Sequence, residues 1–251
     1  MRIRYTKEIE FFFKKNFFSQ SFLLKRRLDR AIRKNEENEI KLVRSFIKSD
    51  TDSLDIGVYR GVYAYQMSKY SKTVHAFEAN PIIFKDLDKN LKKITKNINL
   101  YNYALSNKVE QIELKIPIRD LNFNKKNYEE YYQLGKATIH KENELTHYEK
   151  FIIQSKRIDD IDFKNKISFI KIDVEGHEKQ VIEGGIKTIQ KNKPILLVEI
   201  EEKYTKKNVS DTIDFINSLG YKSFFFDNNS LKKTNELNNL NLYNNYIFLP
   251  N

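Results

Sequence analysis

The stretch DIGVYRG, residues 55–61, lies where a short apolar strand ends and a helix begins. Glycines at such a turn let the backbone approach a ligand without a Cβ in the way. A dinucleotide site would use G-x-G-x-x-G, whose second glycine gives a pyrophosphate room to approach. Tyr59 holds that position here, so a pyrophosphate would be obstructed. The stretch therefore predicts an α/β domain whose ligand is not a dinucleotide.

An acidic residue ends the second predicted strand. Glu78 closes the run TVHAFE, 21 residues after Gly57, and Asn80 and Pro81 form the turn that follows. A carboxylate at this place can accept both hydroxyls of an adenosine ribose, and Asp55 can hold an ammonium group by a charge-assisted hydrogen bond. S-adenosylmethionine carries a ribose and an ammonium group but no phosphate. The two acids and the glycine stretch together favour it as the cofactor.

Strand and helix patterns alternate along the chain from residue 53. The predicted strands are SLDIG, TVHAFE, NLYNYAL, QIELKIP, SFIKID, ILLVEIE, YKSFFF and YIFLP, with helices over 62–70, after Pro81, over 176–191 and over 209–218. Such alternation predicts a mostly parallel sheet covered on both faces, and the last two strands predict an antiparallel hairpin at its edge. Residues 118–150 interrupt the order with Tyr-rich and charged sequence. We expect this insertion to lie over the carboxyl ends of the strands, where such sheets bind ligands, and to face the substrate.

The first 50 residues differ from the rest in charge. They contain 14 Lys/Arg and 7 Asp/Glu, which supplies 7 of the net charge of +11, and they lack Gly and Pro. We predict a helical extension over 1–50 and one domain over 51–251. Phe residues concentrate between Phe11 and Phe22. The extension can cap the domain, pair with a second subunit, or contact a membrane surface through residues 1–30.

The composition excludes several classes of function. The chain has no Cys, which rules out disulfides, thiolate metal sites and a cysteine nucleophile. No stretch approaches the roughly 18–20 apolar residues of a spanning helix, and the charged N-terminus is a poor secretory signal. We expect a cytoplasmic protein, with contact to the inner membrane surface and a homodimer as open alternatives. The basic charge can attract nucleic acid, anionic lipid or a phosphorylated substrate, or simply reflect a Lys-rich solvated surface.

A cluster of ionisable residues marks another strand end. The run IDVEGHE, residues 172–178, places three acids and an imidazole where a buried strand becomes a helix. Burying so many ionisable groups is costly unless they bind something. Helix capping explains Glu175 or Glu178. It does not explain Asp173, which we expect at the mouth of the sheet.

Carboxylates also end the neighbouring strand, ILLVEIE. Asp173 and Glu199 are therefore predicted side by side at the tips of adjacent strands. Together with His177 they match the ligands of a site for Mg²⁺ or Mn²⁺, which would hold a substrate hydroxyl as an alkoxide. His177 is either a ligand or the general base that takes the hydroxyl proton. We predict His177, Asp173 and Glu175 as catalytic residues, and Asp173, Glu199 and His177 as metal ligands.

Several motifs occur together in the order of a known family. DIGVYRG, VHAFEANP, NYALS, RIDDI and FIKIDVEGHE, followed by LLVEIEE, resemble the FkbM-type methyltransferases over roughly residues 52–202. IDVEGHE is the most specific of these motifs, whereas Val58-Tyr59-Arg60 departs from the usual D-x-G-A-N-x-G pattern.

The resemblance implies a class I methyltransferase fold, a Rossmann-like and mostly parallel seven-stranded sheet with an antiparallel edge hairpin. It implies O-methylation of a hydroxyl on a sugar or polyketide-type product, with Asp173 and His177 in the active site. The expected cofactor-binding residues are Asp55, Gly57, Tyr59, Gly61, Glu78, Asn80, Ala104 and Ser106.

The function we expect is methyl transfer to a hydroxyl of a small molecule or glycan. The basic surface favours a nucleotide-linked sugar or a precursor of a surface polysaccharide such as capsule, since phosphates attract Lys and Arg. An RNA methyltransferase is the alternative suggested by the charge. However, the charge concentrates in residues 1–50 and the Asn-Pro-Pro-aromatic signature of amino-methylating enzymes is absent, so nucleic acid is not the expected partner. A third reading is a non-catalytic assembly factor that would not bind S-adenosylmethionine.

Overall fold

An eight-stranded sheet forms the centre of the protein in the computed structural model, which describes residues 18–119, 131–139, 147–201 and 208–251. The strands are β1 (Asp52–Ile56), β2 (Thr73–Phe77), β3 (Ile98–Tyr101), β4 (Ala104–Leu105), β5 (Gln111–Pro117), β6 (Tyr148–Lys156), β7 (Ile167–Ile172), β8 (Ile195–Glu199), β9 (Tyr221–Asp227), β10 (Ser230–Lys233) and β11 (Asn245–Pro250). The α-helices are α1 (Gln20–Lys34), α2 (Val43–Phe46), α3 (Val62–Met67), α4 (Pro81–Leu91), α5 (Glu178–Glu183), α6 (Ile186–Asn192) and α7 (Val209–Ser218). Short 3₁₀ helices cover Asn38–Leu42, Leu134–Lys136, Ile158–Asp160, Thr234–Glu236 and Leu240–Leu242.

The main sheet has the order β10-β9-β11-β8-β7-β1-β2-β3. Strands β8, β7, β1, β2 and β3 are parallel, and β11 runs antiparallel to both of its neighbours. The predicted α/β class and antiparallel edge are therefore confirmed. The expectation of seven strands was wrong by one, because Ser230–Lys233 adds β10 as a hairpin on β9. The two closing strands, β9 and β11, do pair antiparallel.

Three of the strands form a second, smaller sheet with the order β4-β6-β5. The predicted strand NLYNYAL divides after Tyr101, so that β3 joins the main sheet and β4 the small one. β6 lies partly inside the segment assigned to the insertion and was not predicted. Its outer face is exposed, and Ile152 is 66% accessible, so it lacks the apolar signal of the central strands.

The N-terminal helix α1 packs against α3 and α4. Ser19 caps its first turn by accepting a hydrogen bond from the backbone of Phe22, and Asn35 ends it in the left-handed conformation. Leu24 and Leu28 on its inner face are buried in the same core as residues of β2 and α4. α1 therefore contributes directly to the wall of the domain.

The predicted helix over 176–191 is two helices, α5 and α6, which separate at Gly184 and Gly185. A Cβ on Gly184 would lie 2.0 Å from the carbonyl oxygen of Ser106, and one on Gly185 would lie 2.9 Å from Ile158. The break thus lets this segment pass close to the chain that follows β4.

Alternate residues of the central strands face two different cores. On β7, Phe169 belongs to the core under α1–α4, whereas Ile170 and Ile172 belong to the core under α5–α7. Lys171 and Asp55 are register partners on β7 and β1 and are both buried. A layer of buried charge therefore lies in the central sheet, on strands that otherwise carry apolar side chains.

Several predictions fall on residues outside the described ranges. They include Phe11, Phe12, Phe13 and Phe17 of the aromatic segment, and Tyr128 and His140 of the insertion. Within the described residues, Phe18 and Phe22 are exposed and stack with ring centroids 5.1 Å apart. None of the described helices combines the length and the apolar character that crossing a membrane requires.

Candidate active site

A cavity of about 320 Å³ lies at the carboxyl ends of β1, β2, β7 and β8. Its volume falls at the lower end of the ~300–1,000 Å³ that is typical of ligand pockets. β1 and β7 are the neighbours at which the strand order reverses, which is where α/β sheets bind ligands. The predicted site residues that line it are Gly57, Tyr59, Glu78, Asn80, Ala104, Asp173, Glu175, His177 and Glu199. The described part of the insertion also contributes, through Leu134, Gly135, Ala137 and Ile139.

Three predicted cofactor-binding residues do not line this cavity: Asp55, Gly61 and Ser106. Asp55 is 1% exposed, and burial raises the pKa of its carboxyl to about 7. Gly61 precedes α3 with φ of 79°. The Ser106 hydroxyl lies 2.9 Å from His177 Nε2. These three residues therefore lie behind the residues that form the surface of the cavity.

Glu78 orders the glycine stretch at the cofactor end. Its Oε2 accepts a hydrogen bond from the backbone N–H of Tyr59 and its Oε1 one from that of Asn80, each at 2.8 Å. Burial raises the pKa of Glu78 to about 7, although the two N–H donors act in the opposite direction. Tyr59 has φ of 47°, a conformation that costs a non-glycine residue energy. The bond to Glu78 helps to hold it there.

Gly57 is required by the protein's own backbone. Its φ is 88°, and a Cβ would lie 1.7 Å from the carbonyl oxygen of Asp173. The sequence had suggested that the glycine makes room for a ligand. The ends of β1 and β7 also meet at this point, where the Asp173 N–H donates to the carbonyl of Ile56 at 2.9 Å. The cofactor end and the catalytic end of the cavity therefore touch at Gly57.

The catalytic end holds two carboxylates beside a buried ammonium. Asp173 and Glu199 lie side by side, as predicted, and face the same ammonium. Burial and the neighbouring Asp173 raise the pKa of Glu199. Lys171 Nζ lies 3.4 Å from Asp173 Oδ2 and 3.8 Å from Glu199 Oε2. Burial lowers the pKa of Lys171, but the surrounding carboxylates outweigh this and raise it, so the side chain stays charged.

The predicted set of metal ligands is not assembled. Nowhere in the described ranges do three or more acidic or histidine side chains group as metal ligands. The Lys171 ammonium takes the place beside Asp173 and Glu199 that we had assigned to Mg²⁺ or Mn²⁺, and a second cation there would be repelled. His177 instead pairs through Nε2 with Ser106.

Lys171 was missed in the sequence because FIKID looks like an ordinary buried strand. The Lys171 side chain is 1% exposed, and its Nζ lies 5.2 Å from the centroid of the Tyr63 ring. The sequence does contain one signal. A lysine lies in the middle of a strand that the patterns on both sides predict to be at the centre of the sheet. A buried lysine needs a carboxylate partner, and two were already expected at the adjacent strand tips.

The turn between β7 and α5 presents Glu175 and His177 to the cavity. Glu175 and Gly176 both have left-handed backbones, with φ of 54° and 98°. The Glu178 carboxylate accepts from the backbone N–H groups of Gly176 at 2.9 Å and Val174 at 3.3 Å. Glu178 thus lies in the first turn of α5, where an acidic residue is favourable, and its hydrogen bonds stabilise the turn that precedes the helix. Glu175 and His177 line the cavity.

The family model described as the methyltransferase FkbM domain matches residues 55–223. The chain belongs to the FkbM methyltransferase family. Its resemblance to that family in sequence is therefore confirmed, and family membership together with the fold supports S-adenosylmethionine as the methyl donor.

The chain is similar to several solved structures. An FkbM methyltransferase from Methylobacillus flagellatus KT is 14% identical with a TM-score of 0.50, and the match covers 81% of this FkbM-family chain and 44% of that one. This chain thus spans less than half the length of that protein. A Streptococcus mutans protein in complex with SAH is 11% identical with a TM-score of 0.48, covering 86% and 96% of the two chains. At 14% identity, the likeness to the Methylobacillus protein shows the fold alone. A comparison with curated proteins gives no significant match.

Proposed function

We propose that this FkbM-family protein transfers a methyl group from S-adenosylmethionine to a hydroxyl of a sugar. We favour a nucleotide-linked sugar or the precursor of a surface polysaccharide such as capsule as the acceptor. One observation carries the proposal. A single cavity is lined both by Glu78, the carboxylate that we assign to ribose binding, and by Asp173 and His177, the residues of the most specific family motif.

The residues of the cavity fit a nucleoside cofactor. Each Glu78 oxygen accepts one backbone hydrogen bond and keeps a lone pair for a ribose hydroxyl. Apolar side chains such as Ile83 and Leu114 line the same cavity and suit an adenine ring. Glu175 adds negative charge to the cavity wall, which favours a cofactor with a sulfonium and an ammonium group. When bound, S-adenosylmethionine supplies an activated methyl carbon and is released as SAH.

His177 is the residue that we assign to proton removal. As the acceptor oxygen bonds to the methyl carbon and the carbon–sulfur bond breaks toward sulfur, the hydroxyl proton must leave. Imidazole is a suitable base near neutral pH, and His177 lines the cavity. The Ser106 hydroxyl fixes the ring through the 2.9 Å contact with Nε2. No metal ion enters this scheme, because the Lys171 ammonium already occupies the place beside Asp173 and Glu199.

The test measures cofactor binding and methyl transfer in the same preparations. We expect the full chain to bind S-adenosylmethionine in calorimetry and to methylate a member of a panel of nucleotide sugars and glycans. His177→Ala should slow transfer by about 10²- to 10⁴-fold, the usual contribution of a general base, with cofactor affinity unchanged. Ser106→Ala, which removes only the contact that orients the ring, should slow it less. Activity should persist in a chelator.

Three outcomes would contradict parts of this proposal. Failure to bind S-adenosylmethionine would reject the methyltransferase activity and favour the non-catalytic assembly factor. Unchanged turnover in His177→Ala would remove the assigned base. Loss of activity in chelator that Mg²⁺ or Mn²⁺ restores would show that a metal ion takes part after all.

A further inference from the structure

A second cavity, of about 390 Å³, lies next to the cavity that holds Glu78, Asp173 and His177 in its wall. We infer that it binds the phosphate groups of the acceptor and so selects substrates that carry a diphosphate. This inference rests on the proposed function, because it specifies which part of a nucleotide-linked sugar the protein recognises. The cavity is distinct from the Asp173 cluster, none of whose residues line it.

Three arginines from three separate parts of the chain converge on this second cavity. Arg27 comes from α1, Arg60 from the glycine stretch and Arg119 from the segment after β5. Asp86 of α4 is the acidic residue among them, so the described lining has an excess of positive charge. Residues far apart in sequence have thus been brought to one concave surface, which a basic composition alone does not produce.

The choice of cation points to a phosphate ligand. Lys outnumbers Arg 35 to 10 in the chain, yet the basic residues in the described lining of this cavity are all Arg. The guanidinium group presents a planar fork of N–H donors that binds phosphate oxygens in pairs, which a lysine ammonium cannot do. A merely Lys-rich surface would have placed Lys here.

The two cavities share part of their walls. Tyr59, Ile83 and Leu134 line both of them. Tyr59 is 40% exposed, and the guanidinium carbon of Arg60 lies 5.2 Å from the centroid of its ring. This cation–π contact holds Arg60 beside the shared wall. An acceptor whose diphosphate is bound by the arginines can therefore extend past Tyr59 toward Asp173 and His177.

The shared wall also explains why the glycine stretch has its particular sequence. Small residues at these two positions would be enough for the loop to pass close to a cofactor, but the chain has Tyr59 and Arg60 there. Tyr59 even adopts a left-handed backbone, with φ of 47°. The larger residues supply the partition between the cavities and one of the three guanidinium groups. The stretch thus serves the donor on one side and the acceptor on the other.

In the experiment, the full chain is titrated with inorganic pyrophosphate and binding is measured by calorimetry. We expect Arg60→Gln and Arg119→Gln each to weaken pyrophosphate binding about tenfold, the usual worth of a charge-assisted hydrogen bond at a partly exposed site. Arg60→Lys should recover only part of the affinity, because it restores the charge but not the fork. Arg26→Gln is the matched control, since Arg26 lies on α1 over the Phe22 ring and does not line the cavity.

Cofactor binding in the same samples separates this inference from the proposed function. S-adenosylmethionine affinity should be unchanged in all four variants, and Arg60→Gln should raise KM for a nucleotide sugar while leaving kcat unaltered. Binding of S-adenosylmethionine without binding of pyrophosphate would overturn the inference and leave the methyltransferase proposal intact. Pyrophosphate binding that Arg26→Gln weakens as much as Arg60→Gln would also overturn it. So would binding of a twelve-nucleotide single-stranded RNA that is tighter than that of pyrophosphate, because this would indicate an extended surface for nucleic acid.

Discussion

At the cofactor end of the cavity, Glu78 receives backbone N–H donors from Tyr59 and Asn80, whereas at the catalytic end Asp173 and Glu199 face the ammonium of Lys171. The main chain stabilises the first carboxylate, and a side chain of opposite charge stabilises the other two. The first arrangement depends on the conformation of the glycine stretch. The second depends on the balance of charge within the sheet.

Under the proposed function one cavity performs two tasks, and this difference suits them. A carboxylate fixed by backbone donors keeps its position whatever the charge of its neighbours, which suits the recognition of a constant group such as a ribose. Carboxylates balanced by an ammonium respond to any change in the charge around them. The two ends should therefore respond differently to substitution.

The largest effect is expected where the two ends touch. Gly57→Ala would place a Cβ 1.7 Å from the backbone oxygen of Asp173, in addition to the strain of φ at 88°. Neither the contact nor the strain can be relieved without moving β1 or β7. We therefore expect the free energy of unfolding to fall by more than about 4 kcal/mol, or no folded protein. Urea denaturation measures this.

Gly220→Ala is the matched control, because Gly220 has φ of 93° with nothing within 4 Å of an added Cβ. It should cost only the conformational strain, about 1–2 kcal/mol. Equal losses in the two variants would mean that the backbone contact between the two ends is unimportant.

The next largest effect is expected at the catalytic end. Lys171→Met removes the buried cation and leaves two carboxylates in contact, which should cost about 3–5 kcal/mol. Without the ammonium, the folded-state pKa of Glu199, which is already raised, rises further. A raised folded-state pKa gives stability that is lost as pH increases, so the loss measured at pH 8 should exceed that at pH 5.5.

Lys150→Met provides the comparison for that variant. Lys150 pairs with Glu113 at 3.0 Å on the surface, where ion pairs contribute little, so the thermal midpoint should not change. If the loss in Lys171→Met were small and independent of pH, the catalytic end would not be organised by charge.

The smallest effect is expected at Asp55, and it has the opposite sign. Burial raises the pKa of Asp55 to about 7, and Oδ2 lacks a hydrogen-bond donor. Because this pKa lies above that of the unfolded chain, folding is favoured at low pH and penalised as pH rises through about 7. Asp55→Asn should therefore stabilise the protein at pH 8, where the buried carboxylate is charged, and by almost nothing at pH 4, in thermal denaturation.

Asp52, on the same strand, is the control for Asp55→Asn. Asp52 is also buried but is bonded to His75 at 3.2 Å and to Asn165, so Asp52→Asn should destabilise the protein. Measurements on the same samples also test the role that the sequence predicts for Asp55, which is to hold the ammonium group of the cofactor. A tenfold loss of S-adenosylmethionine affinity in Asp55→Asn, with no gain in stability, would show that Asp55 contacts the cofactor.

The sequence predicts what depends on chain order and strand tips. Glu78, Asp173 and Glu199 follow or end parallel strands, and the carboxyl ends of such strands meet at one edge of the sheet whatever the details of packing. Their convergence could therefore be predicted. The adjacency of Asp173 and Glu199 needs only that β7 and β8 be neighbours.

What could not be predicted depends on which face of a strand each side chain occupies. Asp55 lies in the buried layer that includes Lys171, and this follows from the packing of α1–α4, which no local pattern specifies. The break between Gly184 and Gly185 likewise follows from the approach of Ser106, nearly eighty residues earlier in the chain. Contacts over such distances leave no periodic trace in the sequence.

The place of β11 in the sheet has a consequence for the order of synthesis. β11 stands between β8 and β9, although it follows both in the chain. On the ribosome, β9 and β10 can form their hairpin early, but they have no strand to join until β11 has emerged. The apolar edge of β8 stays open during that interval, and open edges invite aggregation. Translation of the Asn-rich segment before β11 therefore sets how long the nascent chain remains exposed.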